Sequence, residues 1–495
     1  MRPAGQPAPV GSGPTQLHHR ATRPENIGVT ALPGRLRSAT RAPLDAVAGF
    51  AASVVSILAG MLVVSRPSVA LLPVAVLAAA LLLVDARARI AVVVFGGLFL
   101  LQTSGGLDGK KLAFLAAVAL ALLGAFLNVQ KLRATPAYRL AGPLLAASVV
   151  LVALAIVSLP VAHMNGIPPQ NWLREIAPYL LFASAPVFAL DAQAAIGSRS
   201  LLRLLIAVGT LGALAFAVQW LGRRGIAHLP ISRIGVATLF VPAALFSYAM
   251  SSVLSGTARR TWWFLLAVSI LAMALATSNR SALALVIAPF AIAFCARRHL
   301  TARSIRLLVL APVAVVLTLA VAESVIVATG ANQEVLQKRL AIFKSTGDVE
   351  KDASYNDRVV QSIVAWDTFK ANPLYGAGAG TEFEWKPQGL PPRSSSILDT
   401  PVTFPAKFGL LGLAAVLLVV GKYWSFTRIL ARRREPTVAQ LALVGYLAVV
   451  ASSAILNNPL EDKGLSFGLI LVLALVLGEA KAEPPLHGAP EEAKG

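Results

Sequence analysis

ALATSNRSALALV, Ala274 to Val286, is an apolar run broken by Ser278, Asn279 and Arg280 and resumed at once. Runs like the two on either side recur along the chain. Each is close to the roughly 20 helical residues needed to cross a hydrocarbon layer of about 30 Å. Of the 495 residues, 56% are hydrophobic and 14% charged, more apolar content than a single soluble core uses. Ten-residue stretches of alternating hydrophobicity do not occur, which excludes a membrane β-barrel. The reading is an all-α membrane protein, a polytopic bundle of about 12 to 14 helices.

The order along the chain gives the organisation. Residues 1–43, rich in Pro, Gly and Arg, read as a disordered basic tail. Spans fill 44–328, beginning near 44–64 and 68–84. A long connection occupies 329–403, spans resume over 404–480, and 481–495 reads as a second disordered tail. The formal charge of +21 does not point to nucleic acid, because the basic residues fall in short clusters between apolar runs, where they act as topology determinants. With the first tail in the cytoplasm, alternate connections carry Arg87 and Arg89, Lys131 and Arg133, Arg259 and Arg260, and Arg432 to Arg434. Both termini are therefore expected in the cytoplasm of a plasma-membrane protein. A single cysteine, Cys295, excludes a disulfide within the chain and a cysteine-built metal site; no metal or cofactor is expected.

Basic residues on the opposite face are the informative ones. Lys110 and Lys111, Arg174, Arg223 and Arg224, Arg233 and Arg280 lie where insertion signals give no reason for them. A charge at a helix end costs insertion energy, so a ring of them calls for an anionic partner such as phosphate. Trp172 and Tyr179, near span ends, are expected in an interfacial aromatic belt. The connection 329–403 lies on the same outer face. It holds QEVLQKRLAIFKS, a candidate amphipathic helix, and ASYNDRVVQSIVAWDTFKANPLYGAGAGTEFEW. In the latter Val359, Ile363, Trp366 and Phe369 recur at helical spacing, a stripe suited to the membrane or to the bundle, and Asn372 and Pro373 stop the helix. Loops of this length inside a compact membrane protein are usually functional.

The sequence TSNRSAL, then NDRVVQSIVAWDTFKANPLYGAG, then a span with GLLG at Gly409 to Gly412 resembles the O-antigen ligase and polymerase superfamily of bacterial membrane glycosyltransferases. The similarity runs from Arg233 to Gly412. It implies transfer of a glycan from a polyprenyl diphosphate carrier to an acceptor hydroxyl of a glycan or glycolipid outside the membrane, in cell-envelope polysaccharide synthesis, without metal. By the same carry-over, Arg280 and Arg233 would hold the departing diphosphate, and Arg358 matches the arginine of the loop helix. Arginine suits this work because it stays ionised and binds phosphate with two hydrogen bonds. Arg174, Gly376, Gly378, Glu382 and Trp385 join as expected substrate-binding residues, Arg174 by position and Trp385 as a platform for a sugar ring.

The chain departs from the family at one place. Members carry a His-Asn pair about eleven residues before the Gly-x-x-Gly span, and the corresponding positions here are Leu398 and Asp399. Asp399 is the expected base toward the acceptor, with Glu382 and Glu384 as alternatives. Two other functions fit less of the sequence: a transporter or flippase of lipid-linked oligosaccharide, which calls for inverted repeats, and a membrane protein that binds the lipid carrier without catalysis.

Overall fold

The computed structural model describes residues 71–101, 109–223, 239–257, 259–276, 284–297, 300–328, 353–386, 391–396, 398, 400–431, 436–456 and 463–480. The chain divides into two units, Met1–Leu77 and Ala78–Gly495. Of the first, only Leu71–Leu77 are described; the second carries the helical bundle and its long loop.

The helices are α1 (Leu71–Val84), α2 (Ala86–Ala91) with a π-helical continuation Val92–Leu101, α3 (Gly109–Gln130), α4 (Pro136–Met164), α5 (Pro169–Ala195), α6 (Ser198–Arg223) and α7 (Phe240–Leu254). After them come α8 (Arg260–Ala276), α9 (Ile287–Ala296), α10 (Ala302–Ala328), α11 (Ala353–Ala371), α12 (Thr403–Ala431), α13 (Val438–Leu456) and α14 (Lys463–Ala480). Among the described residues, six helices are long and apolar enough to cross a membrane, and shorter apolar helices accompany them. The protein is an all-α, multi-pass membrane protein. The first expected span, 44–64, and the candidate helix QEVLQKRLAIFKS lie outside the described residues.

Burial ranks the helices by position. The apolar stretch of α5 is 78% buried and that of α10 only 11%, so α5 is central and α10 faces the surroundings. Helix α5 packs on α14, α4 and α3. The core that results is built from small and branched residues such as Ala185, Ala189, Leu471 and Val472. Small residues let helix backbones approach where lipid supplies no hydrophobic drive for association.

Two buried ion pairs mark the two ends of α5. Near its C-terminus Asp191 accepts from Arg89 Nε at 2.7 Å and Nη2 at 2.7 Å, and from Asn128 Nδ2 at 2.7 Å. Arg89 also donates through Nη1 to the carbonyls of Leu82 and Leu83, caps for the end of α1. The sequence marks Arg89 as a surface topology charge; it is 1% exposed instead, because a bidentate carboxylate and two carbonyls satisfy the guanidinium inside the bundle. The tie from Asn128 makes α3 and α5 parallel. Lys111, 3% exposed, therefore lies at the same end of the bundle as Arg174, opposite Arg89. Sixteen residues separate Glu175 from Asp191, about 24 Å at 1.5 Å per residue.

Candidate functional site

The end of the bundle that carries Arg174 is covered by the second half of the long connection. Helix α11 ends at Ala371, where Asn372 and Pro373 interrupt it, and the chain continues as the ribbon Leu374–Gly380. This ribbon docks on a break in α12. Gly409 has φ 61° and ψ −159°, a conformation open in practice only to glycine. A break leaves carbonyls on one side and N–H groups on the other without helical partners. The ribbon satisfies both sets: Ala377 and Gly378 N–H donate to Ala406 and Lys407 carbonyls at 2.9 Å, while Leu410 and Leu411 N–H donate to Pro373 and Leu374 carbonyls at 2.8 and 3.1 Å. The spacing of PLYGAG and GLLG in the sequence is thus one structural unit.

Glycine is required on both sides of that contact. A Cβ at Gly409 would lie 2.4 Å from the Leu374 carbonyl oxygen, and one at Gly376 would lie 2.2 Å from the backbone of Lys407. The amide of Gly376 bonds Asn372 and that of Gly378 bonds Lys407. Since both N–H groups are taken by protein carbonyls, the expectation that these glycines contact substrate gives way to a packing role. The far end of the ribbon is held as well. Asn165 Nδ2 donates to the Ala377 carbonyl at 2.8 Å, and the Gly380 N–H donates to Glu175 Oε2.

Glu175 also pairs with Lys407 Nζ, and both side chains are shut off from solvent, at 2% and 0% exposure. The pair joins α5, the ribbon and the first turn of α12. Below it, Tyr179 packs on Phe408 and Phe404, with ring centroids 5.4 and 6.1 Å away. Tyr179 is 1% exposed, so it belongs to this core and not to an interfacial belt. Trp172 likewise turns inward, donating Nε1 to Ser158 Oγ of α4 at 3.0 Å. Neither Glu175 nor Lys407 stands out in the sequence by motif. Their signal is a lone acid and a lone base, each at the mouth of an apolar span.

Above the ribbon, β1 (Phe383–Trp385) pairs antiparallel with β2 (Arg393–Ser395), Phe383 opposite Ser395 and Trp385 opposite Arg393. Asp357 of α11 holds both strands: its Oδ1 accepts from Trp385 Nε1 at 2.6 Å and its Oδ2 from Arg393 at 3.1 Å. Trp385, 8% exposed, packs with Ala365, Phe383, Leu398 and Ala406. A sugar platform needs an open ring face; Trp385 fills the core of the loop. The α11 stripe divides too. Phe369 packs inward, while Val359, Ile363 and Trp366 stay 39%, 55% and 50% exposed.

The hairpin brings loop groups over the bundle. Arg174 Nη2 donates to Ser396 Oγ, just beyond β2, and Ser396 is 3% exposed. Asn171, one turn before Arg174, donates to Glu382 Oε1 at 3.4 Å. On α11, Ser362 Oγ lies 2.8 Å from Thr400 Oγ1 and donates to the Arg358 carbonyl. The Nε of Arg358 is buried with no hydrogen-bond partner among the described residues. A buried guanidinium nitrogen without an acceptor is costly, and an anionic ligand would supply one. Glu382 and Glu384 are exposed. Arg174, Glu382 and Ser396 thus meet at one end of the bundle, with Arg358 on the helix that clasps the same hairpin. Arg233, Arg280 and Asp399 lie outside the described residues. Among the described residues, no cluster of His, Cys, Asp and Glu is arranged to hold a metal ion.

No curated protein matches the chain. The family comparison matches residues 264–401, a stretch that runs from α8 through α11 and the hairpin to the approach of α12 and falls within the similarity read from the sequence. The matched family is O-antigen ligase, so Arg358 and the hairpin over the multi-pass bundle sit in a segment similar to that family.

Proposed function

We propose that this protein transfers a glycan from a polyprenyl diphosphate carrier to an acceptor hydroxyl on the outer face of the plasma membrane, with both termini in the cytoplasm. The observation that carries the reading is Arg358, whose Nε is buried without a hydrogen-bond partner among the described residues, in the loop that closes over Arg174. In the reaction the acceptor oxygen attacks the anomeric carbon. The bond from that carbon to the diphosphate oxygen breaks, and the diphosphate leaves with the electron pair.

Charge accumulates on the leaving oxygens, so fixed guanidinium groups lower the barrier. Arg280 and Arg233 take that part, with Arg174 and Arg358 completing the binding of the anion. The acceptor proton passes to a carboxylate, Asp399 in this reading, with Glu382 and Glu384 as the other acids of the loop. Gly376 and Gly378 contribute through shape, by seating the loop on α12.

The test is reconstitution of the purified protein in liposomes with a diphosphate-linked glycan and an acceptor. Wild type should form product and Arg280→Ala should lose roughly a hundredfold or more in rate. Equal product from both would end the role of Arg280. A wild type that binds the carrier and forms none would mark a binding protein.

A further inference from the structure

Helix α11 is apolar on two faces. Val360, Val364, Ala365 and Phe369 pack with the core of the hairpin. Val359, Ile363 and Trp366, at steps of four and three residues, stay exposed although α11 already packs on both α12 and β1. The start of the ribbon continues that surface, with Leu374 and Tyr375 54% and 53% exposed. An exposed apolar patch that runs across two elements marks a face with a partner.

Depth identifies the partner. The Pro373 and Leu374 carbonyls accept from the Leu410 and Leu411 N–H groups, so the elbow between α11 and the ribbon stands beside Leu410 of α12. Helix α12 is long and apolar enough to cross a membrane, and its Leu410, Leu417 and Leu418 are exposed. Eighteen residues separate Leu410 from Arg428 near the far end of the helix, about 27 Å at 1.5 Å per residue. The hydrocarbon layer is about 30 Å thick. With Arg428 at the far surface, Leu410 therefore still lies within the hydrocarbon, and Lys422, the nearer charge, sets it deeper. Leu374 shares that level.

We infer that the elbow Leu374–Tyr375 and the stripe Val359, Ile363 and Trp366 are seated in the bilayer leaflet on the loop's side, which makes α11 an interfacial anchor. Such helices bury their apolar face about 5 to 10 Å into the boundary between headgroups and acyl chains. The chemistry at the edges agrees. Trp366 and Tyr375 are aromatic residues of the kind that favours this level, whereas Trp172 and Tyr179 turn inward. Lys370, exposed and paired with Asp367 at 2.7 Å, follows Trp366 by one turn, and its stem is long enough to reach the headgroups. Arg358 stands one residue before Val359, so the anchor holds it near the plane of lipid phosphates, where a membrane-bound diphosphate lies. That consequence rests on the function proposed above; the seating itself does not.

The experiment uses the full chain with Cys295→Ser, in nanodiscs of phosphatidylcholine and phosphatidylglycerol. A nitroxide is placed on one thiol at a time, at Ile363→Cys, Leu374→Cys or, on the exposed hairpin, Ser394→Cys. Collisions with oxygen, which dissolves in lipid, and with a nickel chelate, which stays in water, are read by electron paramagnetic resonance. Nickel collisions at positions 363 and 374 should be roughly tenfold rarer than at 394, and oxygen collisions more frequent. Equal nickel collisions at the three positions would put the stripe in water and overturn the inference.

Suppression of both reagents would also overturn it, since protein would then cover the face. Spin–spin broadening that vanishes on dilution with unlabelled chain would identify that cover as a second copy, and its absence as another segment of this chain. Should the labelled variants fail to fold, wild type and Trp366→Phe decide: the fluorescence that Trp366 contributes should be quenched by lipid brominated near its headgroup. Quenching of that contribution by aqueous iodide instead would contradict the seating. None of these readouts uses a glycan donor, so the anchor and the transfer reaction fail or stand separately.

Discussion

Glu175 of α5 and Lys407 of α12 form an ion pair closed to solvent on both sides, and the same carboxylate accepts the Gly380 amide. One side chain thus ties the central helix, the glycine ribbon and the broken helix together. Removing a single partner takes a counter-charge away from a buried ion. Lys407→Met or Glu175→Leu should destabilise the protein by about 3 to 5 kcal/mol, and the double variant should recover much of that loss. A double-mutant cycle on denaturation in detergent checks this; additive losses would deny the coupling.

The break at Gly409 predicts a sharp asymmetry among glycines. Gly409→Ala and Gly376→Ala should deplete folded protein, since each new Cβ lies within 2.5 Å of backbone atoms. Gly142→Ala and Gly421→Ala, both in helices with nothing within 4 Å, should be neutral or stabilise by about 0.5 to 1 kcal/mol. Recovery from detergent extracts and thermal denaturation of the four variants measure the difference.

Much of the fold is legible in the sequence, and the limits have physical causes. Apolar runs of membrane length announce helices because every backbone group in lipid must be satisfied within the segment. The stop at Asn372 and Pro373 follows from proline chemistry. The hairpin is hidden, since three-residue strands are too short to show alternation. Trp385 misleads for a related reason: whether a loop tryptophan faces a ligand or its own core depends on Asp357, a partner brought near only by folding. Arg89 carries the mark of a surface charge because nothing local reveals that Asp191, a hundred residues on, meets it inside. Arg174 draws notice in the sequence because a charge without a topological reason is visible without its partner, and it falls at the end of the bundle that the loop covers.

The clasp at Asp357 yields a loop-specific prediction. Trp385→Phe keeps the ring in the core and deletes its hydrogen bond, leaving Asp357 with Arg393 alone. The loop should lose about 1 to 3 kcal/mol of local stability. Limited proteolysis should then cut between β1 and β2 faster, with the midpoint of global unfolding little changed. An unchanged cleavage rate would remove Asp357 from its role as clasp.

Arginine chemistry can be separated from charge alone at Arg358 and Arg174. Arg358→Lys retains the charge and loses the planar fork, so it should restore only part of the transfer rate lost in Arg358→Ala. Arg174→Ala should weaken binding of the diphosphate carrier, while Ser396→Ala, which removes the neutral partner, should have the smaller effect. Carrier affinity and transfer rate measured for all four variants check these orders.

The proposed reaction requires the loop over Arg174 to lie outside the cell. In a Cys295→Ser background, Ser394→Cys on β2 provides a unique thiol beside Arg393, whose side chain is 46% exposed on the hairpin. A membrane-impermeant maleimide added to intact cells should label it without permeabilisation. Labelling seen only after the membrane is opened would place the loop in the cytoplasm and contradict the account.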